Sequence, residues 1–438
     1  MGADNAEWGA PTVPAQRVPP PWPLRVQKFG GTSVGDIDRI GKVAERVARA
    51  VAGGEKVAVV VSAMGRTTDR LIGMARELTN RPARRELDAL LATGEQQSAA
   101  LLTLALISRG VDARSFTGPQ AGFLTDSNHG AARIVRVDPR PLGSALEACD
   151  VVVVAGFQGH DASGNITTLG RGGSDTTAVA LAAALGAREC EIFTDTDGVY
   201  TTDPHRIESA TKLEAIDYAE MLELASHGAK VLHPRSVWYA RRYGVVIHVR
   251  SSFSPVPGTL VTDRSSLQEG RMFTDKPVTG VALDSNHARI DLHAVPDRPG
   301  VAARLFRAVG DAGVSVDMII QGVRGAGDSR QQMAFIVASD VVPEALEALA
   351  PVLAEWGAHA EVDRDVAKLS VVGVAIGSTP GIAATLFEAV AGAGANIDMI
   401  TTSEVRISVL IPAEYAQAAL AAVHTAFGLD RGAGAELE

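Results

Sequence analysis

From residue 25 onward, hydrophobic positions alternate between helical and strand periods. Aliphatic residues at helical spacing, typical of one buried helix face, recur through the stretch 36–51 at Ile37, Ile40, Val43, Val47 and Val51. The continuous apolar run KVAVVVSA at 56–63 then predicts a buried strand. The alternation continues with a helix at 98–110, a strand at 151–157, a helix after 175 and a strand at 191–194. This order predicts an α/β domain with a mainly parallel sheet and helices on both faces.

The periodicity fails in three places, which set the domain limits. Residues 1–24 carry prolines at 11, 14, 19, 20, 21 and 23, so we predict a disordered or extended tail. Proline, glycine and polar residues around 255–279 predict a linker, placed at 266–279, after an α/β domain at 25–265. Residues 431–438 form a second tail.

Beyond the linker the sequence repeats itself. DRPGVAARLFRAVGDAGVSVDMI at 297–319 recurs as STPGIAATLFEAVAGAGANIDMI at 378–400, so that Pro299 matches Pro380. Such a repeat predicts two copies of one small α+β unit, which we place at 280–360 and 361–430. A duplicated dimerisation module is the alternative reading.

Composition narrows the functional class. The 438 residues, 46% of them hydrophobic, suffice for two or three domains, and the net charge of −10 argues against a nucleic-acid partner. The two cysteines, Cys149 and Cys190, lie in or beside apolar strand-like runs, which indicates core cysteines rather than a disulfide framework. We found no apolar run near the ~18 residues of a membrane span and no secretory signal, and we expect a cytoplasmic protein.

The first strand leads into a glycine-rich turn, KFGGTSVG at 28–35. Gly30 and Gly31 allow the backbone to approach an anion, while Thr32 and Ser33 add donors at the start of a helix. A Walker A loop is excluded, because there the lysine follows the glycines, whereas Lys28 precedes them. The alternative to a phosphate-binding loop is a tight strand-to-helix connection without a ligand. No core packing is expected to need Lys28, which makes a ligand contact its predicted role.

A second glycine-rich loop, LGRGGSD at 169–175, precedes a predicted helix. Its three glycines allow close approach of a ligand, Arg171 offers a planar fork for a carboxylate, and Asp175 stands where the helix begins. A dinucleotide fingerprint is rejected, since an aspartate stands where the third glycine should be. A glycine-rich turn with a surface arginine remains the alternative.

These motifs carry a resemblance to a known family. KFGGTSV and LGRGGSD resemble the aspartate kinases of the amino acid kinase family, and the repeated units resemble ACT domains, together covering residues 25 to about 428. The resemblance implies an amino acid kinase fold followed by two ferredoxin-like ACT domains. It also implies ATP- and Mg²⁺-dependent phosphorylation of L-aspartate to 4-phospho-L-aspartate, the first step towards lysine, threonine and methionine.

The resemblance assigns roles to individual residues. Catalytic roles fall to Lys28 and Asp175. Contacts to ATP or its phosphates fall to Lys28, Gly30, Gly31, Ser33, Thr194, Asp195, Tyr200, Arg206 and Lys230. Contacts to aspartate fall to Thr67, Glu95, Arg171, Gly173 and Ser174. Arg171 would take a carboxylate and Glu95 the α-ammonium, although a lone helical glutamate is otherwise a solvated residue.

Other ligand patterns are weaker. DTDG at 195–198 does not continue as a calcium loop, because Val199 stands where an oxygen ligand is required and no glutamate closes the loop. His227 and His233 have no cysteine partners that would complete a zinc site. We therefore predict that the protein itself holds no metal ion and that these histidines are structural. One departure from the family is DPHR at 203–206. His205 takes the usual arginine position, and Arg206 is shifted by one, which puts one phosphate contact in doubt.

Regulation is where the sequence departs most from the family. By resemblance, a threonine site would use Asp297, Gln321, Thr402 and Glu404, all present. After Gln321, however, Gly322, Val323 and Arg324 replace the usual asparagine, valine and serine, and QQMA at 331–334 replaces a threonine-aspartate pair. We therefore expect threonine or lysine to inhibit more weakly than is usual for the family.

Partners and alternative functions also follow from the resemblance. ACT domains usually pair between chains, so a homo-oligomer is expected, and an internal start at Met272 would give a shorter subunit containing only the ACT region. The alternatives are a kinase for another acidic amino acid, or an amino-acid-binding regulator with an inactive kinase body. A membrane or nucleic-acid partner is not expected.

Overall fold

The computed structural model describes residues 20–228, 231–266, 276–322 and 330–430, which group into two units. The first unit comprises the described residues 20–199, 212–226 and 231–266. The second comprises 200–211, 227–228, 276–322 and 330–430. Most of the two predicted tails and of the linker, including Met272, lies outside the described residues. The segment 200–211 belongs with the second unit, although we predicted it within 25–265.

The first unit contains a large sheet, a smaller sheet and seven helices in its described part. Its strands are β1 (Leu24–Phe29), β2 (Lys56–Val61), β3 (Ala113–Phe116), β4 (Phe123–Thr125), β5 (Ile134–Val137), β6 (Val151–Ala155), β7 (Gln158–His160), β8 (Ile166–Thr168), β9 (Glu189–Thr194), β10 (Ala215–Asp217), β11 (Val246–Ser251) and β12 (Thr259–Thr262). Its helices are α1 (Ile37–Ala52), α2 (Thr67–Leu78), α3 (Arg84–Ile107), α4 (Arg140–Ala148), α5 (Gly173–Ala184), α6 (Tyr218–Ser226) and α7 (Pro234–Tyr243).

The large sheet confirms the predicted parallel arrangement. Its strand order is β10-β12-β11-β9-β1-β2-β6-β3, and every neighbouring pair is parallel except β11 with β12. The central strands β1, β2, β6 and β9 are buried almost throughout, which explains their continuous apolar runs. The smaller sheet has the order β5-β4-β7-β8. Ligand-binding loops are therefore expected where β1, β2, β6 and β9 end.

Helix α1 shows how the sequence pattern becomes packing. The Asp36 carboxylate caps its first turn by accepting a hydrogen bond from the Arg39 N–H, at 2.8 Å. Ile40, Val43 and Val47 are buried as predicted. Ile37 is 64% exposed instead, because it is the first residue of the helix and lies beyond the surface that packs on the sheet.

The second unit contains two four-stranded sheets. Its strands are β13 (Gly280–Asp284), β14 (His287–Pro296), β15 (Asp317–Gln321), β16 (Arg330–Ala338), β17 (His359–Asp363), β18 (Val366–Val372), β19 (Met399–Thr402) and β20 (Arg406–Pro412). Its helices are α8 (Val301–Asp311), α9 (Val342–Trp356), α10 (Ile382–Gly392) and α11 (Ala416–Ala426). The sheet orders are β15-β16-β14-β17 and β13-β18-β20-β19.

Sheet membership corrects the predicted boundaries of the two repeats. β13 precedes the first repeat in the chain but pairs with β18 of the second repeat. β17 extends to Asp363 and completes the first sheet. The first repeat thus occupies 287–363, and the second combines 366–430 with the earlier strand at 280–284. Local sequence pattern did not reveal this, because the partner of β13 lies more than eighty residues away in the chain.

The open faces of the two repeat sheets meet in a small apolar cluster of Met318, Ile336, Val366, Met399 and Leu410. Two ion pairs cross this contact. Arg289 of β14 lies 2.9 Å from Asp398, and Lys368 of β18 lies 2.5 Å from Asp317. The two pairs are similar in arrangement. Asp317 and Asp398 occupy matching positions in the repeated sequence, and Arg289 and Lys368 lie on the corresponding strands β14 and β18, in register with Ile336 and Leu410.

Candidate active site

A cleft of about 800 Å³ opens at the carboxyl ends of the central strands of the first unit. The loops after β1 and β2, helices α2 and α3, the loop at 129–131 and the loop at 170–175 form its walls. Both glycine-rich motifs found in the sequence therefore border one cavity, as the rule for parallel sheets predicts.

Lys28 and Asp175 meet in this cleft. Lys28 lies on β1, with Val60 of β2 and Ile192 of β9 as its register partners, and Asp175 lies in the first turn of α5. The Lys28 Nζ atom is 2.6 Å from Asp175 Oδ1, and each side chain is 11% exposed. We predicted that core packing does not need Lys28. Because its partner is the buried Asp175 carboxylate, we expect removal of Lys28 to leave that carboxylate without its cation.

The turn after β1 is tightly packed. A Cβ atom on Gly31 would lie 2.8 Å from the Ala63 carbonyl oxygen, so a larger residue does not fit. The N–H groups of Gly30 and Ser33 donate to the carbonyls of Phe193 and Gly30. The Ser33 hydroxyl is buried and lies 2.5 Å from that of Ser252. The hydroxyl of Ser33 is thus already engaged within the protein.

Glu95 on α3 is the most unusual charge in the cleft. Its side chain is only 4% exposed, and its Oε1 accepts a hydrogen bond from the Ala63 N–H at 3.1 Å. Its Oε2 is buried without a hydrogen-bond partner among the described residues. Burial raises the pKa of Glu95 to about 7, although the hydrogen bond from Ala63 acts to lower it. A solvated helix residue is therefore excluded, and the site favours a cation supplied by a ligand.

The loop at 170–175 presents Arg171 to the cleft. Gly170 and Gly172 adopt the left-handed conformation, with φ of 76° and 65°, and Gly172 forms the N-cap of α5. Arg171 between them is exposed, while Ser174 behind it is buried. An exposed cation at the rim and buried polar groups below it suit an acidic ligand.

Thr67, which we predicted to contact aspartate, lies beside the cleft rather than in its lining. Among the described residues, Thr68 borders the cleft, whereas Thr67 does not. The Thr67 side chain instead lies towards α3, where a Cβ on Gly94 would approach its methyl group to 3.4 Å. Consecutive residues at the start of α2 point about 100° apart, which the motif alone did not reveal.

A hydrogen-bonded network around Asp88 was missed by sequence reasoning. The buried Asp88 carboxylate accepts hydrogen bonds from Gly130 N–H at 3.0 Å, Thr168 N–H at 3.1 Å and Thr168 Oγ1 at 2.6 Å. His129 Nδ1 lies 2.9 Å from the same carboxylate. These bonds fix the cleft wall just ahead of Arg171. The one available signal was an acidic residue on the apolar side of α3.

Phe157 is a second residue that the sequence did not identify. It follows β6 at the cleft wall and has a positive φ of 69°, which is strained for a bulky side chain. Its N–H donates a hydrogen bond to Thr177 Oγ1 at 3.0 Å. Such strain is typical of functional sites, because the surrounding structure must hold it in place.

The predicted nucleotide contacts divide between the two units. Thr194 and Asp195 lie at the end of β9 in the first unit, with Thr194 Oγ1 3.1 Å from Asp195 Oδ1. Tyr200 and Arg206 lie in the segment 200–211 of the second unit. The Arg206 carbonyl accepts a hydrogen bond from Gln417 Nε2 at 2.8 Å. Lys230 lies outside the described residues.

The histidines discounted as zinc ligands have structural partners. His233 forms the N-cap of α7, where its Nδ1 accepts a hydrogen bond from Arg235 N–H at 3.3 Å, and burial lowers its pKa. His227 Nε2 lies 2.5 Å from Arg406 Nη1. Asp197 of the discounted calcium pattern forms an ion pair with Lys212 at 3.3 Å.

The four predicted regulatory residues fall at strand ends of the second unit. Asp297 and Gln321 lie in the first repeat, just after β14 and at the end of β15. Thr402 and Glu404 lie at and after the end of β19 in the second repeat, and both are exposed. Gln321 Nε2 donates a hydrogen bond to Gln331 Oε1 at 2.7 Å. The amide of Gln321 is therefore already bonded to Gln331, one of the residues that depart from the family pattern. Arg324 lies outside the described residues.

Comparison with known proteins gives a consistent family match. The model of the amino acid kinase family matches residues 23–251, and two ACT domain models match residues 291–353 and 369–427. An aspartokinase of Thermus thermophilus is 60% identical over 408 residues, covering 93% of this chain and 99% of that protein.

Solved structures agree with this match. Aspartokinase III of E. coli in complex with aspartate and ADP (R-state) has a TM-score of 0.77 at 26% identity, covering 92% of this chain and 99% of that chain. The same enzyme in complex with lysine and aspartate (T-state) has a TM-score of 0.69 at 27% identity, with the same coverage. No helix among the described residues is long and apolar enough to cross a membrane.

Proposed function

The chain belongs to the aspartokinases, members of the amino acid kinase family with ACT domains, and from this premise we propose that the cleft of the first unit is where aspartate is phosphorylated. The reaction transfers the γ-phosphoryl group of ATP to the side-chain carboxylate of L-aspartate. Its product, 4-phospho-L-aspartate, begins the pathway to lysine, threonine and methionine. The observation that carries the placement of the substrate is Glu95, which is buried and whose Oε2 has no hydrogen-bond partner in the described part of the chain.

Aspartate binding divides between opposite charges. Glu95 would accept the α-ammonium, which supplies the cation that the buried carboxylate lacks. Arg171 would take a carboxylate through two parallel hydrogen bonds, with Ser174 and Gly173 below it. Thr68 is better placed than Thr67 to contact the bound amino acid, since it borders the cleft.

Phosphoryl transfer requires fixed positive charge where negative charge spreads over the phosphoryl oxygens. Lys28 would supply it, and Asp175 would hold the lysine in position. The N–H groups of Gly30 and Ser33 are engaged within the turn, so Gly31 and Thr32 are better suited to donate to a phosphate. Thr194 and Asp195 would lie towards the nucleoside.

Mg²⁺ fits this donor set through ATP. The ion binds oxygen ligands and usually takes few from the protein, with phosphates and waters completing its shell. Asp175 is the carboxylate that the structure places beside Lys28, and its oxygens would be the protein side of that shell. Bound with ATP, the ion would neutralise charge on the transferred group.

We further propose that the ACT region binds an amino-acid effector and pairs with a second chain. The first and second repeats present Asp297, Gln321, Thr402 and Glu404 at strand ends, which supports an effector site at paired ACT domains. A shorter subunit starting at Met272 would contain both repeats, because β13, the first strand of this region, begins only at Gly280.

A hydroxamate assay with ATP, Mg²⁺ and a panel of acidic amino acids tests the substrate. We expect turnover with L-aspartate and little or none with L-glutamate or N-acetyl-L-glutamate. Preferential turnover of another amino acid would replace aspartate as the substrate. Absence of turnover with every member, in a folded protein that binds ATP, would favour a non-catalytic regulator.

A further inference from the structure

Two histidines stand side by side on the first ACT sheet. His293 of β14 and His359 of β17 are register partners on adjacent antiparallel strands. Their rings stack with centroids 4.9 Å apart and planes inclined by 18°. Directly opposed residues on one sheet face are the closest cross-strand neighbours, which gives this imidazole pair the spacing of a chelate.

A carboxylate completes the group. Glu361 lies two residues beyond His359, so its side chain leaves the same face of β17. Its Oε2 is 3.5 Å from His293 Nε2, and its Oε1 is 3.9 Å from His359 Nε2. One ligand atom from each of the three residues lies within 4.8 Å of the others.

The inner histidine has a free coordinating atom. His293 Nε2 is buried and has no hydrogen-bond partner among the described residues. Gln332 lies 3.4 Å from the other ring nitrogen, Nδ1, and with its amide turned it would accept the Nδ1–H hydrogen bond. Such an outer partner fixes the tautomer that leaves Nε2 available to a metal.

We propose that His293, His359 and Glu361 bind one divalent transition-metal ion, of which Zn²⁺ is the best match. Two imidazoles and a carboxylate suit Zn²⁺, with water as fourth ligand, whereas Mg²⁺ and Ca²⁺ require oxygen ligands. Zn²⁺ requires ligand distances of about 2.0–2.2 Å, so the group must contract. His359 and Glu361 are 63% and 68% exposed, and they are free to make that adjustment.

A second cluster in the chain provides the contrast. Glu189, Glu191 and His248 also bring three ligand atoms together. There, however, Arg25 and Arg250 lie 3.2 and 2.5 Å from the Glu191 carboxylate and already neutralise it. These guanidinium groups would repel a metal cation, so this cluster is the matched control.

Metal binding would stabilise β17, which lies at the edge of its sheet. β17 has one neighbour in its sheet, β14, and leads within three residues into β18 of the second repeat. A metal bridge between β14 and β17 would therefore stabilise the strand that joins the two ACT repeats. All three ligands belong to the second unit, whereas the cleft belongs to the first.

The test is zinc titration of the full-length chain, without a polyhistidine tag and freed of metal, by isothermal calorimetry. We expect one equivalent bound by the wild type and by the control His248→Gln. His359→Ala and Glu361→Gln, both at exposed positions, should weaken binding by about tenfold or more. Hydrogen exchange of peptides covering β17 should slow with zinc in the wild type and the control only.

Copper(II) electron paramagnetic resonance provides the second measurement. Hyperfine coupling from two nitrogens is expected in the wild type, and from one nitrogen in His359→Ala. The proposal is overturned if the wild type binds no zinc, if His359→Ala binds it equally well, or if His248→Gln removes it.

Discussion

The cleft that we propose as the active site and the contact between the ACT repeats both bury charged side chains, but Glu95 in the cleft and Lys368 in the contact differ in their partners. In the cleft, Glu95 is buried without a cationic partner among the described residues, and burial raises its pKa to about 7. In the ACT contact, Lys368 is almost fully buried against Asp317. Burial acts to raise the pKa of Asp317, yet the Lys368 ammonium outweighs it, and the pKa is lowered. A buried carboxylate without a cation, such as Glu95, leaves room for the charge of a ligand, whereas Lys368 and Asp317 already neutralise each other within the protein.

The largest effect should follow from removing Lys28, which forms an ion pair with Asp175 in the cleft. Lys28→Ala is expected to lower kcat by about a hundredfold or more, because a preorganised positive charge is lost from the transition state. Stability should fall as well, since Asp175 is left buried and alone. The double variant Lys28→Ala/Asp175→Asn should recover stability without recovering kcat. Near-normal turnover of either variant would contradict the role of Lys28.

The two crossed ion pairs allow a matched comparison inside the ACT contact. Lys368→Met should destabilise the second unit by about 1–3 kcal/mol, because Asp317, 37% exposed, is only partly resolvated. Arg289→Met should cost under about 1 kcal/mol, since Arg289 is more exposed and also pairs with Asp291. Hydrogen exchange of peptides covering β15 and β19 measures both. Equal effects would mean that burial does not distinguish the pairs.

The loss of stability caused by Lys368→Met should become smaller at acidic pH. A lowered pKa of Asp317 contributes stability that is present above the unfolded pKa and is lost as the pH falls through the folded one. The difference in exchange between wild type and variant should therefore shrink below about pH 4. A difference that stays constant there would show that the ion pair is not its cause.

A smaller effect is expected at the rim of the cleft. Arg171→Lys should raise KM for aspartate by about tenfold while KM for ATP stays nearly unchanged, because lysine cannot form two parallel bonds to a carboxylate. Initial rates at varied aspartate and varied ATP separate the two. A rise in KM for ATP alone would assign this loop to the nucleotide.

Effector binding is expected to give the weakest response. Each lost bond to a charged ligand is worth about 1.5–3 kcal/mol, or roughly ten- to a hundredfold in affinity. Gln321 is already bonded to Gln331, which supports weak inhibition by threonine or lysine. Both amino acids should be titrated singly and together against initial velocity at subsaturating aspartate. Strong concerted inhibition at sub-millimolar effector would show that these substitutions do not matter.

The contrast also explains what the sequence could reveal. Lys28, Asp175 and Arg171 were predictable, because each lies in a short motif whose residues are adjacent in the chain. The Asp88 network was not, since its donors at 129–130 and 168 come from distant segments. The pairing of β13 with β18 could not be predicted for the same reason, because the two strands lie far apart in the chain. The sequence also did not reveal that Thr68, rather than Thr67, lines the cleft, because spacing alone does not give the rotation of the first turn of α2.

The state of Glu95 is the most direct test of the account, through the pH dependence of kcat/KM for aspartate. An ionised Glu95 is required to hold the α-ammonium, so kcat/KM should rise as the pH increases through about 7 in the wild type. In Glu95→Gln, kcat/KM should be lower and that rise absent, with KM for ATP unchanged. The same rise in Glu95→Gln, or unchanged aspartate affinity, would contradict the assignment of this cleft to the substrate.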